Sequence, residues 1–290
     1  NGTHLCKDHF FYSLEKRVKK EIKKQGKTVS PARFGIAVSG GKDSLVALHL
    51  MKKIFGKRRK VELIAISVDE GIHDYREKSI DLARKNSKKL DIDHHVITFQ
   101  EAIGMKQDTI ITQKDDALGA CGYCGVFRRF CLNSVAKELS LDKLVTGHNL
   151  DDIAQSILMN FVNADTEKLA RLGPHLKVQP GLVPRMMPLR TIPEKENALY
   201  ALLKDIDYHQ GVCPYSTDAF RGIYRDIIFD LEDRNPGTRH SILKSYDNIK
   251  ESLLQHYPPI PLQQCKECGE PTTNVLCKSC ILKKRLGFLK

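Results

Sequence analysis

Ile36-Ala37-Val38-Ser39-Gly40-Gly41-Lys42-Asp43-Ser44-Leu45-Val46-Ala47-Leu48-His49-Leu50-Met51 is the stretch on which the reading of the fold turns. Its apolar, β-branched start ends in Ser-Gly-Gly and opens onto a Leu/Ala/Met-rich periodic segment, the pattern of strand, tight turn and helix. The two glycines let the backbone turn sharply and bring its N–H groups close to a ligand. The turn then sits at a helix N-terminus, where unpaired N–H groups and the helix dipole favour phosphate. Lys42 adds a point charge for a phosphoryl oxygen, and Ser39 and Ser44 add hydroxyl donors. The competing reading is an ordinary surface turn; the strand before and the helix after argue for a phosphate site.

The four-residue spacer between the glycines of a Walker A loop is absent. Ser39–Ser44 instead resembles the PP-loop of the ATP-pyrophosphatase superfamily, enzymes that cleave ATP between the α- and β-phosphates, adenylate a substrate oxygen and release pyrophosphate. The resemblance implies that Ser39, Gly40, Gly41, Lys42, Asp43 and Ser44 hold ATP.

Working outward, Val61–Val68 reads as a second buried strand ending in Asp69-Glu70-Gly71, and His94–Phe99 as a third. Strand ends of a parallel sheet face the ligand crevice, so Asp69 is expected near the nucleotide or as a helix cap. Residues 74–90 read as a basic helix, and the paired histidines as ordinary strand positions. Lys143–Thr146 is the fourth strand and runs into Gly147-His148-Asn149-Leu150-Asp151-Asp152. Asp151 and Asp152 would stand across from the phosphate turn, placed to hold Mg²⁺ or assist proton transfer. The plain alternative is an N-cap with acidic residues in a first helical turn.

Composition bounds the function. With 41% hydrophobic and 28% charged residues over 290 positions, the chain is an ordinary globular protein with room for one large domain and small appendages. No apolar run approaches the roughly 18 residues that span a bilayer, and no signal peptide is visible, so a cytoplasmic protein is expected, although the chain opens at Asn1 rather than Met. The net charge of +12 suggests a polyanionic partner, most simply nucleic acid.

Nine cysteines fall mostly in pairs. Cys265-x-x-Cys268 and Cys277-x-x-Cys280 form two knuckles, a strong signal for a closed four-thiolate zinc ribbon. Cys6-x-x-His9 has zinc-ligand spacing but is only half of a tetrahedral site. Cys121-Gly122-Tyr123-Cys124, followed by Arg128-Arg129, and the distant Cys213 leave three thiols without a fourth. Such a set suits an iron–sulfur cluster with one open iron; redox thiols carrying a persulfide fit the spacing equally. Cys131 reads as a buried helix residue.

Ser39–Ser44, CGYCGVFRR at 121–129, GHNLDD at 147–152 and VCPY at 212–215 come in one order, and together they resemble the archaeal and eukaryotic tRNA 2-thiouridine synthetase family, the TtuA-like group that includes cytosolic wobble-uridine thiolases. The resemblance covers nearly the whole chain. It implies an α/β fold: a Rossmann-like PP-loop domain with a parallel sheet at 26–257, an N-terminal zinc-finger remnant and basic helix at 1–25, and a C-terminal zinc ribbon at 258–290. It also implies a homodimer that adenylates O2 of a tRNA uridine and replaces it with sulfur from a sulfide or ubiquitin-like thiocarboxylate donor. ATP, Mg²⁺, Zn²⁺ and a [4Fe–4S] cluster on Cys121, Cys124 and Cys213 follow from the same resemblance, with Lys42, Arg128, Asp151 and Asp152 in catalytic roles and Asp69 and Gly147 at the nucleotide. The rivals are a 2-thiocytidine synthetase, persulfide-based thiolation without a cluster, an ammonia-using amidating synthetase, and a tRNA-binding zinc protein with a vestigial nucleotide site. Elsewhere, helices are expected at 10–25, 153–162, 194–206 and 218–256, an irregular proline-rich loop at 173–193, and a linker at Tyr257–Pro261.

Overall fold

A computed structural model describes residues 4–26, 28–113, 118–174, 178–216 and 221–289. Five parallel strands make the central sheet: β1 (Ala32–Ala37), β2 (Val61–Asp69), β3 (Asp93–Thr98), β4 (Lys143–Val145) and β5 (Arg185–Met186). Their order is β3-β2-β1-β4-β5. Helix α1 (Lys7–Lys24) precedes the sheet. Helix α2 (Lys42–Phe55) carries the chain from β1 to β2, and α3 (Arg76–Lys89) from β2 to β3. Short helices α4 (Phe99–Ile103) and α5 (Gln107–Gln113) and the long α6 (Ala120–Glu138) then return it across the sheet to β4, on the other side of β1. The direction of strand addition therefore reverses between β1 and β4, and a crevice opens beyond their C-terminal ends, where doubly wound sheets bind ligands.

After β4 come α7 (Leu150–Val162), α8 (Thr166–Ala170), β5, α9 (Glu194–Leu203), α10 (Arg221–Arg234) and α11 (Thr238–His256). A two-residue antiparallel ladder, β6 (Gln263–Gln264) with β7 (Pro271–Thr272), and α12 (Lys278–Arg285) follow.

Apolar spacing explains the layers. On α1, Phe10, Phe11, Leu14, Val18 and Ile22 recur three or four apart and bury one side of the helix with Leu45, Leu48 and Tyr200. Each such burial stabilises by about 1.5–3 kcal/mol, so the basic helix expected beside an N-terminal finger packs into the α/β core. On the opposite face, Tyr123, Phe127, Cys131 and Val135 of α6 meet Ile66 and Leu144 of the sheet and Leu282 and Leu286 of α12.

Several elements differ from the sequence reading. Strand β3 stops at Thr98 rather than Phe99, because Thr98 and Glu101 form a reciprocal capping box that starts α4. The proline-rich 173–193 stretch is not wholly irregular: it holds β5, whose two residues pair with Leu144 and Val145. The helix expected over 218–256 is two helices, broken at Asn235-Pro236-Gly237, with Gly237 at φ +101° before α11; residues 218–220 lie outside the described part. The half zinc site at Cys6 and His9 gains no third ligand among the described residues. Cys6 is the N-cap of α1, and its Sγ instead meets the His9 Nδ1 at 3.0 Å, both side chains exposed.

Candidate active site and metal centres

The phosphate-type turn lies between β1 and α2, as its sequence predicts. Gly41 is the N-cap of α2. Gly40 has φ +82°, and a Cβ there would stand 1.9 Å from the Ser79 carbonyl oxygen, so only glycine fits against α3. Hydroxyls staple the turn to itself: Ser44 Oγ donates to the Gly41 carbonyl (2.8 Å) and accepts from the Ser39 N–H (3.1 Å). Outside donors hold its carbonyls, His209 N–H on Gly40 (2.9 Å) and Arg76 Nη1 on Ser39 (2.7 Å). The first N–H groups of α2 have no helical partner and are the natural donors for an anion at this turn.

Gly147 closes the other wall. A Cβ at this position would lie 2.8 Å from the Ser44 nitrogen, so the end of β4 runs directly against the first turn of α2. Lys42 reaches sideways: its Nζ pairs with Asp43 (2.9 Å) and with Glu194 on α9 (3.1 Å). Burial lowers the Lys42 pKa, but the two carboxylates outweigh it and the net shift is upward. Asn197 holds the second oxygen of Asp43 at 2.9 Å. Lys42 also lines an open cleft of about 1210 Å³ between α1, α9, α10 and α11, which includes Phe10, Leu199, Phe229 and Arg239 and no cysteine.

The two aspartates of GHNLDD part company. Asp151 is 2% exposed; it accepts the Glu194 N–H at 2.7 Å and pairs with the equally buried Arg239 at 3.0 Å. Burial raises its pKa against the pull of those partners. Its place is a buttress between α7, α9 and α11. Asp152 shares a reciprocal capping box with Asn149, at 3.0 and 3.1 Å, and turns its other oxygen to Arg221 at 3.3 Å, with a third of its side chain open to solvent. His148 bonds Thr146 Oγ1 through Nδ1 (2.9 Å). Desolvation of its ring lowers its pKa, against the pull of Asp152 and with help from the charges of Arg221, Arg185 and Arg128. Asp69 accepts the Gly71 N–H at 2.8 Å, closing the turn after β2.

The sequence reading passed over Glu70 and Arg76. Glu70 is 1% exposed; its oxygens face Arg128 Nε (2.7 Å) and Arg76 Nε (2.5 Å). The signal available was a second acid directly after a strand end, but Arg76 looked like one more charge on a basic helix.

Cys121 and Cys124 sit in the opening turns of α6, after its N-cap Gly119. Cys121 Sγ lies 3.6 Å from the Tyr215 carbonyl, two residues beyond Cys213. Cys124 Sγ accepts from Arg128 Nη2 at 3.3 Å. Burial pushes the Cys124 thiol up to about 11 while Arg128 pulls it down, and Cys213 and Cys121 both act on it electrostatically. The three thiols thus share one neighbourhood. The Cys213 segment is tied there by the Tyr215 hydroxyl on Asp108 (2.8 Å), whose second oxygen accepts the His73 N–H (3.0 Å). Cys131 is fully buried, as expected, and its thiol is pushed up to about 12 by burial.

At the C-terminal end, the sulfurs of Cys265, Cys268, Cys277 and Cys280 lie within 4.8 Å of one another. Burial raises the Cys265 thiol, but the backbone N–H groups of Cys277 and Cys268 outweigh it and bring it to about 6. Glu270 anchors the ribbon to α6 through Lys137 (2.6 Å) and Asn133 (3.3 Å).

Comparison with known proteins follows this geometry. The sequence profile described as "PP-loop domain" matches residues 14–230. The chain is 40% identical to tRNA 2-thiolation protein NcsA of Haloferax volcanii, over 97% of this chain and 93% of that protein. It is 37% identical to cytoplasmic tRNA 2-thiolation protein 1 of Xenopus laevis, over 99% and 83%. Among solved structures, the U34-tRNA thiolase NcsA from Methanococcus maripaludis with its [4Fe-4S] cluster superposes with a TM-score of 0.86 at 36% identity, over 100% of this chain and 92% of that one.

Proposed function

The chain belongs to the PP-loop family of tRNA 2-thiolation enzymes, and from that premise we propose that it adenylates O2 of a tRNA uridine with ATP and replaces that oxygen with sulfur. The target we assign is U34, as in the name of the archaeal neighbour. What supports this reading is that Cys121 touches the Tyr215 carbonyl of the Cys213 segment, that Cys213 and Cys121 both act electrostatically on Cys124, and that Arg128, Glu70 and Arg76 link Cys124 to Ser39 of the phosphate turn.

The uridine C2 oxygen is a poor leaving group and must be activated. Gly40, Gly41 and the first N–H groups of α2 receive the phosphates, with Ser39 and Ser44 fixing the loop that presents them. Lys42 exchanges Glu194 for a phosphoryl oxygen when ATP binds. Asp152, open to solvent beside the turn, holds Mg²⁺ or orients the uridine oxygen for attack on the α-phosphate. Asp151 has no free oxygen for this and acts through the fold. Arg128 offers a cation at the cysteine site for charge that develops as sulfur adds and AMP leaves. The donor set fits a [4Fe–4S] cluster: three thiols in one neighbourhood, one of them under a guanidinium. Such a cluster, on Cys121, Cys124 and Cys213, supplies a thiophilic iron without a protein ligand for the incoming sulfur. The four close sulfurs of the ribbon fit a structural Zn²⁺. A sulfide or ubiquitin-like thiocarboxylate donor, a homodimer and a cytoplasmic setting complete the proposal; no described helix is long and apolar enough to cross a membrane.

The test is anaerobic purification with assay of iron, acid-labile sulfide and zinc, then incubation with ATP, sulfide and tRNA. AMP release with 2-thiouridine in the digested tRNA is expected, and about four irons per chain that disappear in Cys213→Ala. Zinc without iron, alongside thiolation that survives chelation, would move the chemistry to a persulfide. No AMP release would overturn the enzymatic reading.

A further inference from the structure

Glu70 stands directly after β2 with its carboxylate buried between two guanidiniums. Arg76 is buried and fully engaged: Nε donates to the Val68 carbonyl (2.8 Å), and Nη1 to the Ser39 carbonyl (2.7 Å) and the Ser79 hydroxyl (3.0 Å). Arg128 differs. Half of its side chain is exposed, its Nε is held by Glu70 at 2.7 Å, and its outer edge donates to Cys124 Sγ at 3.3 Å. One buried carboxylate therefore stands between the cation that braces the phosphate turn and the cation that touches a thiol. Packing alone gives no reason for this arrangement, since apolar residues of similar volume hold helices to a sheet as well or better than a buried ion triad. Orientation does give one. A half-exposed arginine has several rotamers of similar energy, and a charge-assisted bond from a fixed carboxylate selects one.

We propose that Glu70 is a positioning residue of the active site, holding the Arg128 guanidinium on the Cys124 sulfur while it steadies Arg76 beneath the Ser39 carbonyl. The inference deepens the thiolase reading and rests on it for its catalytic meaning. Its contacts, Glu70 with Arg128 and with Arg76, are between side chains of the chain itself.

The deciding variant is Glu70→Asp in the full chain. It keeps a charge beside Arg76 but withdraws the carboxylate by roughly 1.5 Å, one methylene, too short to span both arginines. Glu70→Gln leaves Arg76 buried without a counter-charge and is expected to lose stability, so it serves only as a comparison. In metal-free protein, the Arg128 Nε–H resonance, assigned by its loss in Arg128→Lys, is expected to be protected from solvent exchange. In Glu70→Asp that protection drops at least about tenfold, the loss of one charge-assisted hydrogen bond, while ATP affinity stays within about twofold because Arg76 keeps its carbonyl partners. In the reconstituted enzyme, kcat for 2-thiouridine formation falls about tenfold or more with KM for tRNA unchanged. Adding Arg128→Ala to Glu70→Asp lowers kcat no further than Arg128→Ala alone, as two residues acting in series require. Unchanged Arg128 protection, or effects on kcat that add in the double variant, would overturn the proposal. A wild-type protein that fails to thiolate tRNA would instead sink the thiolase reading, and Arg128 protection would still decide the role of Glu70.

Discussion

Gly147→Ala is the substitution that most directly tests whether the crevice between β1 and β4 is the nucleotide site. The φ of Gly147 lies outside the left-handed region, so the new methyl meets no backbone objection. The constraint is space. The methyl would stand 2.8 Å from the Ser44 nitrogen and 2.9 Å from the Asp43 carbonyl carbon, both backbone atoms of the first turn of α2. Restoring ordinary contact at 3.4 Å requires the two segments to part by about 0.6 Å. Overpacking of this kind costs about 1–3 kcal/mol of stability. The same displacement would misaim the N–H groups proposed to meet the phosphates; losing one or two such bonds amounts to about 1.5–3 kcal/mol, roughly tenfold to a hundredfold in ATP affinity. Gly35→Ala supplies the control. Its methyl meets the tips of Leu141 (2.3 Å) and Ile66 (2.8 Å), side chains within the core under α6. It should lower stability by a comparable amount and leave ATP binding within about twofold. Titration calorimetry gives the affinities and urea unfolding the stabilities. A folded Gly147→Ala protein that binds ATP like the wild type would refute the assignment of the site.

The paired aspartates should separate in the same assays. Asp151→Asn leaves the buried Arg239 with only the more distant Glu232 (4.0 Å) and should cost about 3 kcal/mol, read as a lower unfolding midpoint, whereas Asp152→Ala loses its part in the capping box and the half-exposed Arg221 pair, about 1–2 kcal/mol, yet should abolish most AMP release. The reverse pattern would exchange their roles. His94 predicts a pH effect: burial, with the charges of Arg84, His95 and Arg76, lowers its pKa from 6.5 to about 4. The unfolded state therefore binds the extra proton first, and stability present above pH 6.5 falls as pH drops towards 4. His94→Gln should flatten that limb of the curve; an unchanged slope would count against it. Cys277→Ser removes one of the four close sulfurs proposed to hold Zn²⁺ and should expose Leu282 and Leu286, each about 2 kcal/mol of burial; faster hydrogen exchange in both α12 and α6 is the expected signature, and fast exchange in α12 alone would mean the two are not coupled.

Sequence made the strand–turn–helix at Ser39–Ser44 legible because its constraints are local: glycines for the turn, β-branched residues before it, periodic apolar residues after. The ends of β2 and β4 were legible for the same reason. What escaped was set by distant partners. Asp151 and Asp152 are adjacent and chemically identical in the chain, and only Arg239 and Glu194, far downstream, bury one and leave the other open. Glu70 reads as the neighbour of a strand-end Asp, and nothing local says that arginines from α3 and α6 will enclose it. Strand β5 is two residues long and sits among prolines, too short for any periodicity. The start of α6 was obscured by Gly122 and Gly125, poor helix formers that mask a helix running straight through the Cys-x-x-Cys pair.

Helix α6 has two halves with different dependants. Its opening turns carry Cys121 and Cys124, while its middle and last turns are packed by Leu282 and Leu286 of α12 and pinned by Glu270. During synthesis, then, the helix that carries two of the thiols leaves the ribosome before the residues that pack its other half. Its support comes from a segment made much later, and with the Zn²⁺ proposed there that segment would fold on binding its metal. A chain whose ribbon had not closed would present Cys121 and Cys124 on a helix lacking its support from Leu282, Leu286 and Glu270.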